Sequence, residues 1–527
     1  MRKIIGVCLV LFCCLFLACS MATTEAKELD FLRNPQMSST QKLKTLLEEG
    51  HPDLKLSKEA LDQLNTFYKA RGFQRIHTND STFTNIGQSW KTTLRKHEFF
   101  GLPQNRLIAS NKSNLLIQEL ILSYNLGTAM HDLDSGFIDF EKEQYKERIW
   151  SVIPNDWVTT HTSTDSILLS RGPADTNYRY FAQHLYHYRD TAKIDTIAFA
   201  LITEKENKKL AWGKLKLALT NLGAITEFTD SLSIRKALKT YQKSHGLIAD
   251  GLIGQATVIS FAESGQDRFV RAMIALDRLR QEKIRPSSFI AINIPSFSLI
   301  FVADDTLRSQ HKIIVGKIDH PTPTLVSKVN RIISLPYWRV PSSIAKKEIL
   351  PALKRNSAYL NKEHMRIYKS QNREVNPSTV NWKKVKVNTF PYQVIQDPGP
   401  WNSLGLIKFE FANNFSVYVH DTPSRYLFSQ TFRSFSHGCM RCDQPIALGK
   451  SILTYDKTTK KENPVGPDSL QVLIDQQIHQ SIPLLKAIPI FVTYTSVTAD
   501  QVGLDFHLDL YQKDQKLVRL LRTENNG

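Results

Sequence analysis

The sequence predicts a multidomain α+β protein whose C-terminal half is mainly β. Its 527 residues exceed the length of one typical domain, about 150 residues, several-fold. The apolar pattern over residues 51–198 is mostly helical, and from residue 288 onward it changes to the two-residue alternation of strands. Hydrophobic residues make up 42% and charged residues 22% of the chain, which excludes wholesale disorder and low-complexity fibres.

Residues 1–19 predict a lipoprotein-type signal peptide. A basic start precedes the uninterrupted apolar run from Ile4 to Ala18, which is too short to span a bilayer and has the length of a signal-peptide core. The run ends at Cys19 in a sequence that resembles a bacterial lipobox. We therefore expect an exported protein on the periplasmic side, anchored to a bacterial membrane by lipid on Cys19, with residues 20–50 as a tether. Simple secretion after cleavage nearby is the alternative.

Between the predicted helical scaffold domain, residues 51–198, and the β region lies a small unit at 199–265. Ile234 and Leu238 belong to one face of a helix, and a turn at 250–254 feeds a second helix. This unit resembles the three-helix peptidoglycan-binding module. The matching residues are Gln242, Gly246, Asp250, Gly251, Gly254 and Thr257. In such modules these residues mostly shape turns, so we assign none of them to a ligand. A bundle that binds nothing is the alternative.

Residues 266–287 predict a basic amphipathic linker helix with a solvated arginine face. Its one aromatic residue, Phe269, provides no series of stacking side chains between the arginines, so we expect no nucleic-acid binding. The β domain is expected over 288–495, and 496–527 is a C-terminal tail. The polar, lysine-rich stretch at about 341–388 predicts a helical insertion between strands.

One strand is predicted over residues 415–420, where polar and apolar residues alternate strictly. Phe415, Val417 and Val419 share one face, so Tyr418 and His420 share the other.

The residues that carry chemistry lie at 436–442, with the sequence Ser-His-Gly-Cys-Met-Arg-Cys. A thiol attacks as thiolate, and an imidazole such as that of His420 can take its proton. A helix-start signal at 443–445 places Cys439 just before a helix N-terminus, which favours the thiolate. Gly438 permits a tight turn whose backbone N–H groups could form an oxyanion hole.

His420 together with Ser436-His437-Gly438-Cys439-x-Arg441 resembles the L,D-transpeptidases of bacterial walls, which have a YkuD-type catalytic domain. The resemblance extends to Thr322-Pro-Thr324, Pro336-Tyr-Trp-Arg-Val-Pro341 and Pro398 to Phe409. It is to the large branch of that family, which carries a helical scaffold, a peptidoglycan-binding module and a capping insertion. Cys442 departs from the branch, where an aliphatic residue is common.

The resemblance implies a role for each residue of the motif. Cys439 would be the nucleophile and His420 the general base. Ser436, His437 and Gly438 would shape the nucleophile turn, and Arg441 would hold that turn or meet a substrate carboxylate. Tyr418 shares the strand face of His420, so its hydroxyl could enter the site; a half-buried strand aromatic is the alternative.

The resemblance also implies the reaction. Cys439 would attack a donor stem tetrapeptide of peptidoglycan, release D-Ala and form a thioester, which the side-chain amine of a second stem resolves into a 3→3 cross-link. Water as acceptor would give L,D-carboxypeptidase activity instead. No cofactor or metal is implied, and a carbapenem, a β-lactam, is expected to form a covalent adduct. The net charge of +18 suits a wall polymer rich in carboxylates.

The same residues admit three other interpretations. Cys439, Cys442, His420 and His437 include the ligand types of a zinc site, but they lack its two separated pairs. The Cys-x-x-Cys spacing also suits a redox pair, either as the main function or as a regulatory disulfide. A wall-binding lipoprotein without activity would explain the module and the anchor, but pure binding needs no thiol.

Overall fold

The computed structural model describes residues 30–109, 114–158, 163–191, 198–245, 247–282, 285–369, 373–459 and 465–523. The predicted signal peptide with Cys19, the first part of the tether and Gly246 lie outside the described residues.

The helices lie mainly in the N-terminal half. Those of the described chain are α1 (Asp30–Arg33), α2 (Ser39–Glu49), α3 (Lys58–Ala70), α4 (Asn85–Arg95), α5 (Leu115–Ser135), α6 (Thr164–Leu169), α7 (Thr176–Thr191), α8 (Glu204–Asn221), α9 (Ser231–Ser244), α10 (Gln255–Phe261), α11 (Gly265–Gln281), α12 (Ser342–Ile344), α13 (Leu350–Arg355), α14 (Tyr359–Lys362), α15 (Pro445–Thr459), α16 (Pro467–Asp475) and α17 (Gln515–Thr523). A π-helical turn, Ala345–Ile349, joins α12 to α13.

The strands lie mainly in the C-terminal half. Those of the described chain are β1 (Ile138–Asp139), β2 (Gln144–Tyr145), β3 (Phe289–Asn293), β4 (Ser298–Ala303), β5 (Thr306–Gly316), β6 (Leu325–Ser334), β7 (Trp338–Arg339), β8 (Met365–Lys369), β9 (Arg373–Val375), β10 (Gln393–Gln396), β11 (Ile407–Phe411), β12 (Val419–His420), β13 (Ser434–Ser436), β14 (Met440–Cys442), β15 (Gln480–Thr493), β16 (Val497–Ala499) and β17 (Leu504–Phe506). The protein is thus the predicted α+β multidomain chain.

The N-terminal scaffold is built around α5, a helix that is buried on nearly all sides. Glu119 of α5 is fully buried and accepts five hydrogen bonds from α3 and the segment that follows it. Its carboxylate receives the backbone N–H groups of residues 76–78 at 2.7 to 2.9 Å, the Tyr68 hydroxyl at 2.7 Å and the Thr78 hydroxyl at 3.0 Å. These bonds replace the water that the charge loses on burial.

Helix α11 differs from its sequence prediction. Its arginines do not form a solvated face, because α11 runs through the scaffold core. Arg271 and Arg280 are almost completely buried and pair with Glu263 and Asp277 at 2.5 and 3.4 Å. Buried guanidinium groups need such partners, and one sequence window does not show that neighbouring segments supply them.

The predicted C-terminal tail is part of the folded protein over its described residues. Val497 and Leu517 pack in the same core cluster as the scaffold and α11. The hydroxyl of Tyr511 donates to Gly316 O at the end of β5, at 2.7 Å. This segment therefore joins the scaffold to the sheet of the C-terminal half.

The small unit is a cluster of α8, α9 and α10 around its own apolar core. Gln242 is buried, and its amide donates to Asp250 Oδ1, Leu252 O and Thr257 Oγ1 at 2.9 to 3.1 Å. Its carbonyl accepts from the N–H of Gly251, whose φ of 72° suits glycine. These motif residues bind one another, which is a structural role.

The C-terminal half is built on a nine-stranded mixed sheet of order β13-β5-β14-β12-β11-β6-β15-β3-β4. Strand β4 also pairs with β5, so the sheet closes on itself around an apolar core. The expected strand at 415–420 is shorter, because only Val419–His420 pairs as β12. Ser416 has a φ of 56°, which is incompatible with a continuous strand.

The insertion is more than the predicted helical segment. Helices α12 to α14 are joined by a four-stranded antiparallel sheet, β7-β10-β8-β9, around a separate core that includes Val340, Ile367 and Val394. We call residues 338–396 the cap. Strand β8 is only five residues long, and the lysine-rich sequence around it hides its alternation. No helix of the described segments is long and apolar enough to cross a membrane.

We expect Glu119→Gln to destabilise the scaffold by about 2–4 kcal/mol, because an amide accepts at one atom only and buries two new donors. The shift of the urea midpoint relative to the wild type measures this. The matched control is Glu49→Gln, which changes an exposed carboxylate at the end of α2 and should leave the midpoint unchanged. Equal midpoints for the two variants would contradict the role of Glu119.

Candidate active site

The site is built on the pairing of two short strands, β12 and β14. They run parallel, with Val419 opposite Met440 and His420 opposite Arg441. Met440 N–H donates to Tyr418 O at 3.0 Å, which sets Tyr418 opposite Cys439. Since side chains alternate between faces, Tyr418, His420, Cys439 and Arg441 share one face, and Met440 lies in the core behind them.

The Cys439 thiol is half-buried, and the Tyr418 hydroxyl hydrogen-bonds to its thiolate form. Burial raises the pKa of this thiol, while hydrogen bonds from the backbone and the hydroxyl of Tyr418 and the charges of Lys408 and Arg441 act in the opposite direction. The sulfur lies 4.0 Å from Ser416 O. The Tyr418 hydroxyl in turn is hydrogen-bonded to Trp338 of the cap, and burial raises its pKa.

His420 is buried beside this group. Its Nδ1 lies 2.6 Å from Asp421 O, and its ring centroid lies 5.5 Å from that of Tyr418. Burial, and then the charge of Arg441, lower the pKa of His420 to about 3, so the imidazole is neutral at pH 7. Among the described residues no hydrogen bond joins His420 to Cys439. The two are diagonal neighbours on adjacent strands, about 8 Å apart at Cα from strand geometry.

The turn before Cys439 is held by hydroxyl groups. Ser436 accepts from Gly438 N–H at 3.2 Å and donates to Cys439 O at 2.6 Å. Thr322 donates to Gly438 O at 2.8 Å. Gly438 has a φ of 109°, which L-residues rarely adopt. Within the described chain the Cys439 N–H has no hydrogen-bond partner, so it remains available as a donor.

His437 points away from Cys439 toward the cap. Its Nε2 lies 2.8 Å from Glu348 Oε1 on the π-helical turn, and its ring lies 5.1 Å from that of His320. The nucleophile turn therefore contacts the cap directly.

Two cationic side chains, those of Lys408 and Arg441, lie on the sheet face that carries Cys439. Lys408 of β11 pairs with Glu410 at 2.9 Å and lies over the Tyr418 ring at 4.2 Å. Arg441 is partly buried and makes no ion pair or hydrogen bond with its side chain in the part of the chain that the structure describes. Burial lowers the pKa of Arg441, and the Cys439 charge raises it.

Two sequence expectations about the thiols need correction. Cys439 does not adjoin a helix N-terminus, because β14 separates it from α15, and the effect of a helix dipole fades within one turn. Cys442 lies on the opposite face of β14, in the apolar core, and both thiols are free. A disulfide needs Cα atoms within about 7 Å, which an extended strand denies to residues three apart.

A cavity of about 560 Å³ opens beside Tyr418, between the catalytic sheet and the cap. Within the described ranges no group of three His, Cys, Asp or Glu side chains could hold a metal ion. The geometry of the described residues therefore does not support the alternative of a zinc site.

Sequence reasoning missed the residues that the cap and distant loops contribute. Trp338 and Thr322 lay within segments quoted for the family resemblance, which was the available signal. Glu348 and Asp421 carried no such signal in the sequence. Asp421 supplies the carbonyl next to His420, and its carboxylate accepts from Leu406 N–H at 2.9 Å.

Comparisons with known proteins bear on residues 287–459, which match the profile of the L,D-transpeptidase catalytic domain called YkuD. A Haemophilus influenzae protein, whose name assigns it provisionally to the L,D-transpeptidases, is 27% identical over 228 residues. That match covers 43% of this chain and 45% of the relative, so it spans about half of the relative's length.

Solved structures were compared as well. An L,D-transpeptidase from Mycobacterium smegmatis is 13% identical, with a TM-score of 0.18, and the match covers 39% of this chain and 58% of that one. One from Stackebrandtia nassauensis is also 13% identical, with a TM-score of 0.18 and coverage of 57% and 97%. By the profile match, residues 287–459 are similar to the YkuD-type L,D-transpeptidase catalytic domain.

Proposed function

We propose that this protein is a peptidoglycan L,D-transpeptidase with Cys439 as nucleophile and His420 as general base. One observation carries the proposal: Tyr418, Arg441 and the neutral imidazole of His420 share one sheet face with the Cys439 thiol. Groups that stabilise negative charge on sulfur favour the thiolate, which is the nucleophilic form.

Proton transfer is the first step. A neutral His420 can accept the thiol proton, because its pKa of about 3 leaves it unprotonated at pH 7. The diagonal separation is bridged by one water or by a rotamer change when substrate binds, since catalytic hydrogen bonds are often long in substrate-free enzymes. The carbonyls of Asp421, 2.6 Å from Nδ1, and of Leu404 both hydrogen-bond to the ring and orient it.

Acylation follows. The Cys439 thiolate attacks the carbonyl carbon of the donor's third residue, and the free Cys439 N–H donates to the oxyanion that forms. The C–N bond to D-Ala breaks, His420 returns its proton to the leaving amine, and a thioester remains. The amine of a second stem then attacks the thioester and loses a proton to His420, which releases the cross-linked product and restores the thiol.

The alternatives differ in the acceptor or in the absence of chemistry. Water in place of the amine would make the protein an L,D-carboxypeptidase. A binding lipoprotein would release no D-Ala at all. Lipid anchoring through Cys19, the periplasmic location and wall binding by the unit at 199–265 belong to the same proposal and rest on the sequence.

The test is intact-mass analysis with disaccharide-tetrapeptide and, separately, with a carbapenem. We expect the wild type to release D-Ala, to form dimers and to gain one carbapenem adduct, and Cys439→Ala to lose all three signals. Cys442→Ala is the matched control and should keep them, because its thiol lies in the core. Monomeric tripeptide without dimers would indicate the carboxypeptidase, and no D-Ala release by the wild type would overturn the proposal.

We expect Tyr418→Phe to make Cys439 harder to ionise. The hydroxyl donates to the thiolate, so its removal raises the thiol pKa and moves the inflection of the alkylation rate to higher pH by about one pH unit. Iodoacetamide labelling from pH 6 to 10, followed by intact mass, measures this. Tyr337→Phe changes a cavity tyrosine whose ring contacts His479 and should leave the inflection in place. An unchanged inflection in Tyr418→Phe would contradict the assignment.

We expect mild reductant to affect the wild type and Cys442→Ala equally. The two thiols face opposite sides of β14, so no disulfide between them can form without unravelling the strand. D-Ala release with and without reductant, with peptide mapping of the oxidised wild type, measures this. A disulfide-linked Cys439–Cys442 peptide that is lost on reduction, while D-Ala release rises, would show that β14 opens and that the pair is regulatory.

A further inference from the structure

The cavity beside Tyr418 has two walls of different origin. One wall comes from the catalytic sheet and includes Lys408, Glu410 and Tyr418. The other comes from the cap and includes Arg339 and Arg366. A ligand in this cavity would therefore contact both the cap and the tyrosine that is hydrogen-bonded to Cys439.

The register of the cap sheet explains which side chains face the cavity. Ile395 of β10 pairs with Arg339 of β7 on one side and with Arg366 of β8 on the other. These three residues form a row across one face of the sheet, and all line the cavity. Val340 and Val394, one position along, pack in the cap core on the other face.

The charged groups of the cavity are paired, with one exception. Lys408 pairs with Glu410 at 2.9 Å, and Arg366 pairs with Asp397 at 2.5 Å. Arg339 is exposed and makes no ion pair or hydrogen bond with its side chain among the residues described. Its guanidinium is thus an unmatched positive charge facing the cavity.

We propose that Arg339 is a specificity-determining residue that binds a carboxylate on the diamino acid of the donor stem peptide. This inference rests on the proposed function. The third residue of the stem is bonded to Cys439 in the thioester, so its side chain is the part of the donor closest to the cavity. An arginine fork matches a carboxylate with two parallel hydrogen bonds, which neither an amide nor a missing group can reproduce.

The experiment compares two donor tetrapeptides that differ at one group. In one, the side-chain carboxylate of a diaminopimelate-type third residue is free; in the other, it is amidated. We expect the wild type to release D-Ala from the free form with a kcat/KM about 10- to 100-fold higher. Arg339→Gln should lower the kcat/KM for the free form to that for the amidated form and leave the latter unchanged. Arg339→Lys should keep part of the preference.

The matched control is Arg373→Gln. Arg373 is an exposed cap arginine on β9, and its register places it on the face opposite Glu374 and Tyr368, so it should leave both rates unchanged. Two outcomes would overturn the role of Arg339 but leave the proposed function standing. One is a wild type that releases D-Ala from both donors at equal rates. The other is an equal loss of kcat/KM on both donors in Arg339→Gln. A wild type that releases no D-Ala from either donor would overturn the proposed function and this inference with it.

Discussion

The parallel pairing of β12 with β14 is the constraint on which the site depends. Strand β11 on one side and β5 on the other fix this pair within the closed sheet. A slip of one residue would turn Cys439 into the apolar core and bring Met440 to the cavity face. The orientation of the Cys439 side chain is therefore determined by the core packing of Val419 and Met440, together with the hydrogen-bonded turn around Gly438.

Burial at this site works against ionisation of both partners. It raises the pKa of the Cys439 thiol and lowers that of His420, so the uncharged pair is the stable resting form. The surrounding groups counteract burial at the thiol, but they add to the effect of burial at the imidazole. Tyr418, Lys408 and Arg441 favour the thiolate, whereas the same cations disfavour an imidazolium. The arrangement suits a base that holds a proton briefly and passes it to a leaving amine.

The sequence predicted what local patterns determine. The alternating apolar residues of β3 and β4 and the motif around Cys439 are short-range features, and so is the face shared by Tyr418 and His420. What it missed depends on segments that meet only in three dimensions. The lysine-rich sequence around β8 concealed a strand, and the arginines of α11 looked solvated because their pairing with Glu263 and Asp277 does not show in the apolar pattern. Strand β14 intervened where a helix N-terminus was expected.

The cap contacts the residues around Cys439 through two side chains. Glu348 contacts the imidazole of His437 in the turn, and Trp338 is hydrogen-bonded to the Tyr418 hydroxyl, which itself contacts Cys439. A cap that moved aside to admit a stem peptide would break both contacts. The Tyr418 hydroxyl would then lose the partner that orients it toward sulfur. In the proposed reaction, thiolate formation and the seating of the cap would thus be linked through Tyr418, and both would precede attack on the donor.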